Sequence, residues 1–427
     1  MVEEINAQLR EHSLDLTPPA SNRNVITCKW IFTLKYHADG SIAIPVIKST
    51  TISLVVEIAV KKNWVIHQVD INNSFLQGTL HDEVYVSQPS GFVDRDRPHH
   101  VCRLRKALHG LKQAPRAWYQ ELRHFLLQSG YKTSVRDNSL FVYKHAPSHV
   151  YVLVYVDDII ITGPTSLVSA FNSSLAHRFS LKYLGPLSYF LGIEATRTSS
   201  GLHLMQRKYI TDLLVKTKMQ DAKRVPTPMS SSSQITVLSG TPLADAKEYC
   251  MVVGSLQYLA FTRPDIAFPM NRLSQFMHRP TNAHWQAVKR VLRYLAGTWS
   301  HGIFLRRDAP LTVHAFSNAD WGRDKANYVS MNAYLLYFGG SLVSWSSKKQ
   351  RSVSRSSIEA EYRAIANTTS ELKWICSLLT ELGIEIPMAP VAHISGDDQI
   401  ADALTKLLPP PPFLDLNFKI GVKKLLS

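Results

Sequence analysis

Two acids, Asp157 and Asp158, interrupt an otherwise apolar, β-branched run from Val150 to Thr162. Runs of this composition form buried strands. An ionised carboxylate buried without compensation is costly, and two side by side repel, which raises the pKa of one of them. A strand-turn-strand hairpin with both acids at the bend and a divalent metal between them resolves the conflict. A solvated turn carrying two polar residues resolves it too, since Asp is common in turns. Asp-Asp is not one of the favoured tight hairpin pairs, among which Asn-Gly and Asp-Gly dominate.

At 427 residues the chain has material for two or more domains. An apolar share of 45% against 19% charged describes a globular protein with a sizeable core. The net charge of +15 suits a polyanionic partner. Cys28, Cys102, Cys250 and Cys376 lie far apart, with no CxxC pair. That excludes a local zinc or dithiol motif and suits a reducing compartment. The N-terminus is acidic and polar, unlike a signal peptide. The longest apolar run is broken by the two acids, so no membrane-spanning helix is expected.

Along the chain, residues 3–16 have helical character and Pro18-Pro19 ends them. Residues 25–36 alternate as a strand, residues 38–41 form a turn, and residues 50–63 form a helix with Lys61-Lys62 in its last turn. Residues 64–76 read as a strand that carries Asp70 at its end and then turns. An Asp in that place serves most simply as a helix cap. It gains weight as a partner for Asp157 and Asp158. Residues 101–130 mix Arg103, Arg105, Lys106, His109, Lys112, Arg116 and Arg123 with Trp118 and Tyr119. Such a mixture suits phosphates and base faces, or else a solvated cationic face over core aromatics.

Helices are expected over residues 116–128, 165–178, 207–219, 248–262 and 281–297, and a second hairpin over 189–206. Residues 226–243, rich in Pro, Ser and Thr, read as a linker. From residue 311 the texture is β. A strand over 311–317 precedes a hairpin of 333–338 and 341–346 joined by Gly339-Gly340. A long helix from Ser356 to Leu382 has a cap pattern at its start and Gly383 at its end. The Pro409–Pro412 run reads as extended and interaction-neutral.

Taken together, the motifs CKWIFTLKYHADGSI, HQVDINNSFLQG, VCRLRKALHGLKQAPRAWY, LVYVDDIIITG, YFLGIE, QRKYITDLL, GSLQYLAFTRPDIAF, VLRYLAGT, SWSSKKQRSVSRSSIEAEY and DDQIADALTK occur in this order. In that order the chain resembles the reverse transcriptase and RNase H region of copia-type long-terminal-repeat retrotransposon Pol polyproteins, over almost its whole length. The resemblance implies an α/β (α+β) right-hand polymerase of fingers, palm and thumb over residues 1–225. A linker at 226–245, a helical connection at 246–308, a truncated RNase H-like domain at 309–408 and a tail at 409–427 would follow. It implies that Asp70, Asp157 and Asp158 are the catalytic, metal-binding acids for two Mg²⁺ ions, with Mn²⁺ as an alternative. It implies a nucleotide and template pocket of Phe75, Gly110, Lys112, Gln113, Tyr155 and Val156, with Phe75 as a steric gate against the 2′-hydroxyl. The implied partners are an RNA template, a DNA primer and deoxynucleoside triphosphates, with no membrane. The implied setting is cytoplasmic or nuclear, and a virus-like particle for an intact element.

Against the family pattern, the copy is shortened and degenerate. A longer, basic fingers stretch is expected between Ser41-Ile42 and Pro45–Lys48 and is missing. In the RNase H-like part, Ser317-Asn318-Ala319-Asp320 stands where the family has Ser-Asp-Ala-Asp. Asn is a weaker Mg²⁺ ligand than Asp. Glu361 and Asp402 match two further carboxylates, and the segment between Ala389 and His393 is too short to supply another. RNase H activity is therefore expected to be lost, and Asp320 is not expected to replace it. Protease, zinc-knuckle and integrase motifs are missing, and the chain begins as if inside a polyprotein. Two functions follow: an RNA-directed DNA polymerase, or a catalytically dead remnant that still binds nucleic acid. A product that does not fold stably is the third alternative, and non-cooperative melting would mark it.

Overall fold

The computed structural model describes residues 13–19, 25–26, 48–89, 91–108, 110–146, 148–231, 235–322, 327–386 and 399–425. The chain divides into two compact units, residues 1–48 with 65–186 and residues 49–64 with 187–427. The turn expected at 38–41, the shortened stretch at 41–48 apart from Lys48, and the short segment at 389–393 lie outside the described residues. No described helix is long and apolar enough to cross a membrane.

The first unit contains strands β1 (Leu14–Thr17), β2 (Val25–Ile26), β3 (Ile66–Ile71), β4 (Thr79–Ser87), β5 (Val101–Lys106), β6 (Lys132–Thr133), β7 (Leu140–His145), β8 (Ser148–Tyr155), β9 (Asp158–Thr162) and β10 (Leu181–Pro186). They build a four-stranded sheet in the order β1-β5-β4-β2 and a six-stranded sheet in the order β10-β3-β9-β8-β7-β6. Strands β8 and β9 are the expected hairpin, and both are central. Their side chains are buried on both faces, which is why the sequence runs apolar instead of alternating. Helices Ala114–Gln128 and Thr165–Arg178 cover one face through Trp118, Leu122, Leu126, Val168, Phe171 and Leu175. Gly78 permits that packing, because a Cβ there would lie 2.7 Å from the backbone nitrogen of Trp118.

Residues 14–17 correct the helix expected over 3–16. They form β1, with Leu14 opposite Leu104 of β5, and residues 1–12 lie outside the described set. The sheet edge satisfies this segment's backbone groups, which overrides a weak local helix preference.

The second unit contains β11 (Tyr189–Phe190), β12 (Ile193–Thr198), β13 (Gly201–Met205), β14 (His301–Arg306), β15 (Val313–Asp320), β16 (Met331–Phe338), β17 (Ser341–Lys349) and β18 (Val422–Lys424). They form an antiparallel five-stranded sheet in the order β11-β12-β13-β14-β18 and a three-stranded sheet in the order β15-β16-β17. Helices Arg207–Lys216, Lys247–Gln257, Ala267–Ser274 and Asn282–Gly297 share one apolar core. Helix Ser357–Glu381 packs on β15 and β16. Its cap is the expected Ser356, whose side chain accepts from the Glu359 amide at 3.1 Å.

Two expectations fail in this unit. The stretch read as a linker is pinned, with Met229 and Ile235 buried in the helical core. Arg290 donates to Thr227 Oγ1 at 2.8 Å, and Arg272 donates to the Ile235 carbonyl at 2.8 Å. Scattered apolar residues among Pro and Ser were enough to anchor it. The proline run is not extended either. Pro410–Ile420 is a helix whose first turn holds the prolines. The first-turn amides of a helix have no intrahelical acceptor, so proline there loses no bond and arrives with a helical φ. The strand after it, β18, closes the edge of β14.

Helix Ser49–Lys61 belongs to this second unit and packs on β14 and β17. Thr50 Oγ1 donates to Ser344 Oγ at 3.1 Å, and Ser341 Oγ donates to Glu57 Oε1 at 3.0 Å. Lys61 Nζ donates to the carbonyls of Ala309 and Gly339 at 2.7 and 2.8 Å, and lies 3.5 Å from Glu57. Burial pushes Glu57 up from 4.5 to about 8, outweighing the Lys61 ammonium beside it. The folded state therefore holds a proton that the unfolded state releases. Stability should fall as pH rises from about 4.5 to about 8 and then level off. Glu57→Gln should flatten that slope and gain on the order of a few kcal/mol at alkaline pH. Urea unfolding of parent and variant on both sides of the window checks this, and parallel curves would refute it.

Candidate active site

The site is set by strand register. Asp70 of β3 pairs with Asp158 of β9, and on the other side of β3 Lys182 of β10 pairs with Asp70. Tyr155 of β8 pairs with Asp158. Directly paired residues share a face. Lys182, Asp70, Asp158 and Tyr155 thus form a row across four strands, on the face turned away from the two covering helices. Gln68 lies on the same face and donates to Asp158 Oδ1 at 3.2 Å.

The bend lies one residue earlier than expected: Val156 and Asp157 make the two-residue turn, and Asp158 is the first residue of β9, paired with Tyr155. Val156 has φ of 58°, where a β-branched side chain is strained by roughly 1–2 kcal/mol. Two long-range bonds hold it. The buried Trp118 indole donates to the Val156 carbonyl at 2.6 Å, and the Ile71 amide donates to the Asp157 carbonyl at 3.0 Å. The turn is therefore fastened to both a helix and β3, and it presents the exposed Asp157 next to the half-buried Asp158.

Charge is only partly compensated here. Asp70 is raised above the usual carboxylate range by burial and by Asp157, with Lys182 opposing. Asp158 is raised by burial first, with Gln68 opposing and Asp157 and Asp70 adding. The flanking apolar side chains outweigh that cost. Val152, Leu153, Val154, Ile159, Ile160 and Ile161 are all buried, each worth about 1.5–3 kcal/mol. Three carboxylates are hard oxygen donors of the kind that suits Mg²⁺. Among the described residues, though, no group of three His, Cys, Asp or Glu is gathered closely enough to hold a metal ion. The aspartates share one end of the sheet without closing into a ligand cluster.

Phe75 lies on the short helix Ser74–Gln77 just after β3, half-buried against the core that includes Trp118 and Val69. Gly110, Lys112 and Gln113 stand exposed in the connection leading to helix Ala114–Gln128, with Gly110 at φ of 96°. No described hydrogen bond or ion pair ties Lys112 or Gln113 to the aspartates. Trp118 is buried, so its ring is not a base-stacking platform, while Arg103, Arg105, Lys112, Arg116 and Arg123 are exposed. His109 lies outside the described residues. Sequence reasoning missed Gln68 and Lys182, and of its two readings for Trp118, a ring for base faces or a core aromatic, the structure supports the second. Only Trp118 had a detectable signal, in the apolar helical spacing of Trp118, Leu122 and Leu126.

In the second unit, Asn318 near the end of β15 donates to Asp402 Oδ1 at 2.5 Å. Glu361 is exposed on helix Ser357–Glu381, and no described bond joins it to that pair.

Residues 35–231 match the family described as reverse transcriptase (RNA-dependent DNA polymerase). The whole chain is 50% identical to the retrovirus-related Pol polyprotein from transposon RE1 of Arabidopsis thaliana. Over 90% of its length it is 32% identical to the Pol polyprotein from transposon TNT 1-94 of Nicotiana tabacum, covering 31% of that protein. Over 71% of its length it is 31% identical to the putative transposon Ty5-1 protein of Saccharomyces cerevisiae, covering all of it. The chain belongs to the reverse transcriptase family of copia-type retrotransposon Pol polyproteins. It spans 34% of the length of the RE1 polyprotein. That match runs over 493 residues against 427 here. At least 66 positions of this copia-type relative, 493 less 427, therefore have no counterpart, as expected of an internally shortened copy.

Proposed function

We propose that this copia-type chain is the RNA-directed DNA polymerase region of its element and extends a DNA primer on an RNA template. The pairing of Asp70 with Asp158 across β3 and β9, with Asp157 beside them on the turn, carries this reading. Asp70, Asp157 and Asp158 are the oxygen donors that would have to draw together to hold metal ions, since they do not form a ligand cluster as they stand. Mg²⁺, when bound, supplies charge stabilisation at the attacking 3′-oxygen and at the departing pyrophosphate. The protein's own part is to hold three carboxylates at a strained, doubly fastened turn. Lys182 tempers the charge of Asp70, and Gln68 orients Asp158. Exposed Arg and Lys residues around the helix Ala114–Gln128 suit the phosphates of template and primer. The first unit is read as palm with part of the fingers, and residues 309–408 as a truncated, inactive RNase H-like domain.

Primer extension on an RNA template with deoxynucleotides and Mg²⁺ tests the proposal. Extension supports a working palm. A folded chain that binds primer-template in a salt-sensitive way without extending it would favour the second reading, a binding remnant. The shortfall of 66 positions against the RE1 polyprotein is the observation behind that alternative.

Phe75 carries a further expectation. If it is the gate against the 2′-hydroxyl, Phe75→Val should raise ribonucleotide use relative to deoxynucleotide use by about tenfold or more. Single-nucleotide incorporation ratios check this, and an unchanged ratio would remove Phe75 from the pocket.

A further inference from the structure

We propose that Asn318 has turned a divalent-cation position into a cation-independent latch that fastens residues 399–406 to the β15–β17 sheet. The proposal rests on reading residues 309–408 as RNase H-like. Asn318 and Asp402 lie 84 residues apart in sequence. Asn318 Nδ2 donates to Asp402 Oδ1 at 2.5 Å and to Thr405 Oγ1 at 2.8 Å. Both of its amide hydrogens are therefore used. Lys406 Nζ donates to Asp402 Oδ2 at 2.9 Å. Each carboxylate oxygen of Asp402 thus has an internal donor, and one of those donors is a full positive charge.

The latch is the polar corner of a packed seam. Ala401, Ala403 and Leu404 are buried against Ala333, Leu335 and Leu342. Gln399 Nε2 donates to the Ser317 carbonyl at 3.0 Å, and Ser347 Oγ donates to the Leu404 carbonyl at 2.6 Å. An acid at position 318 would set two carboxylates against each other across this seam, a repulsion that Lys406 alone offsets in part and that a proton or a bound cation would have to relieve. The amide gives attraction where the acid would give repulsion. Mg²⁺ or Mn²⁺ would need several oxygen ligands, and here it would have to displace both Asn318 and Lys406 from Asp402. The residues present do not fit the ion.

Hydrogen exchange of the full chain, read on the amides of residues 399–408, tests this locally and apart from the Asp70 site. The parent should exchange at the same rate in EDTA, Mg²⁺ and Mn²⁺. Asn318→Asp should exchange about tenfold or more faster in EDTA, the equivalent of losing one hydrogen bond to a charged group, and should recover in Mn²⁺. Asp402→Asn keeps the shape and covers the case in which the first variant does not fold. It should loosen the same amides without responding to either cation. Slower exchange of the parent in Mn²⁺ would overturn the latch and leave the RNase H-like reading standing. Loosening of Asn318→Asp that Mn²⁺ does not reverse would overturn the replacement of an ion and leave the RNase H-like reading to its own test.

Discussion

Changing Asp157 and Asp158 together to Asn should lower RNA-templated primer extension by at least about 10³-fold, while the chain stays folded. Asn is close to Asp in shape but carries no charge and is a weak ligand for a hard cation. The turn itself should survive, because the bonds that hold it come from the Trp118 indole and the Ile71 amide to main-chain carbonyls. Stability without divalent cations should rise slightly, because burial and its carboxylate neighbours make the charge of Asp158 costly. Asp70 and Asp158 both have folded pKa values above their ordinary range. The folded state then binds more protons than the unfolded state across that window. Parent stability falls as pH rises through it, and the variant's curve should be flatter. Extension assays beside thermal melts at several pH values read both effects. A variant that extends primers like the parent would place the chemistry elsewhere in the chain.

Asp265→Ala should cost about 3–5 kcal/mol of unfolding free energy, the largest single-site loss expected here. Arg263 and Asp265 are both fully buried. Their contact is two-pronged, with Arg263 Nε to Oδ1 at 2.9 Å and an Arg263 terminal nitrogen to Oδ2 at 2.7 Å. Arg263 also donates to the carbonyl and hydroxyl oxygens of Thr298 at 2.9 and 2.8 Å. The Tyr294 hydroxyl donates to Asp265 Oδ2 at 2.6 Å and accepts from Asn417 at 3.3 Å. Burial alone would raise the Asp265 pKa; the guanidinium overrides it and holds the carboxyl below its usual range. Alanine would leave a buried guanidinium with no countercharge. Replacing both residues with apolar side chains of similar volume should cost much less, since no charge is then stranded. Urea titration of the single and double variants separates the two cases. A loss under about 1 kcal/mol in the single variant would mean that water reaches the pair.

The tie from Tyr294 to Asn417 also explains why the last helix is ordered. The four-proline run at 409–412, three residues of which lie in this helix, reads as an extended tail when taken alone. Helix Pro410–Ile420 instead buries Phe413, Leu416 and Ile420 in the second unit. The same competition decided residues 14–17, and Met229 and Ile235 in the stretch read as a linker. In each case local composition gave a weak preference, and burial or sheet pairing of a few apolar residues overrode it.

What the amino-acid order determined by itself was local and strong. The Asp157-Asp158 hairpin, the helices at 49–61, 114–128, 165–178 and 282–297, the β16–β17 hairpin and the Ser356 cap all follow from periodicity and turn chemistry within a short window. The ordered motif set also carried the family. What only tertiary structure decided was which distant side chains meet. Lys182 lies opposite Asp70, Gln68 reaches Asp158, the Trp118 indole braces the Val156 carbonyl, and Asn318 closes on Asp402. Each depends on strand register or on helix docking. A one-residue slip of a strand would turn every one of its side chains to the other face. Register is set by the packing of the whole sheet, so no short stretch of this chain encodes it.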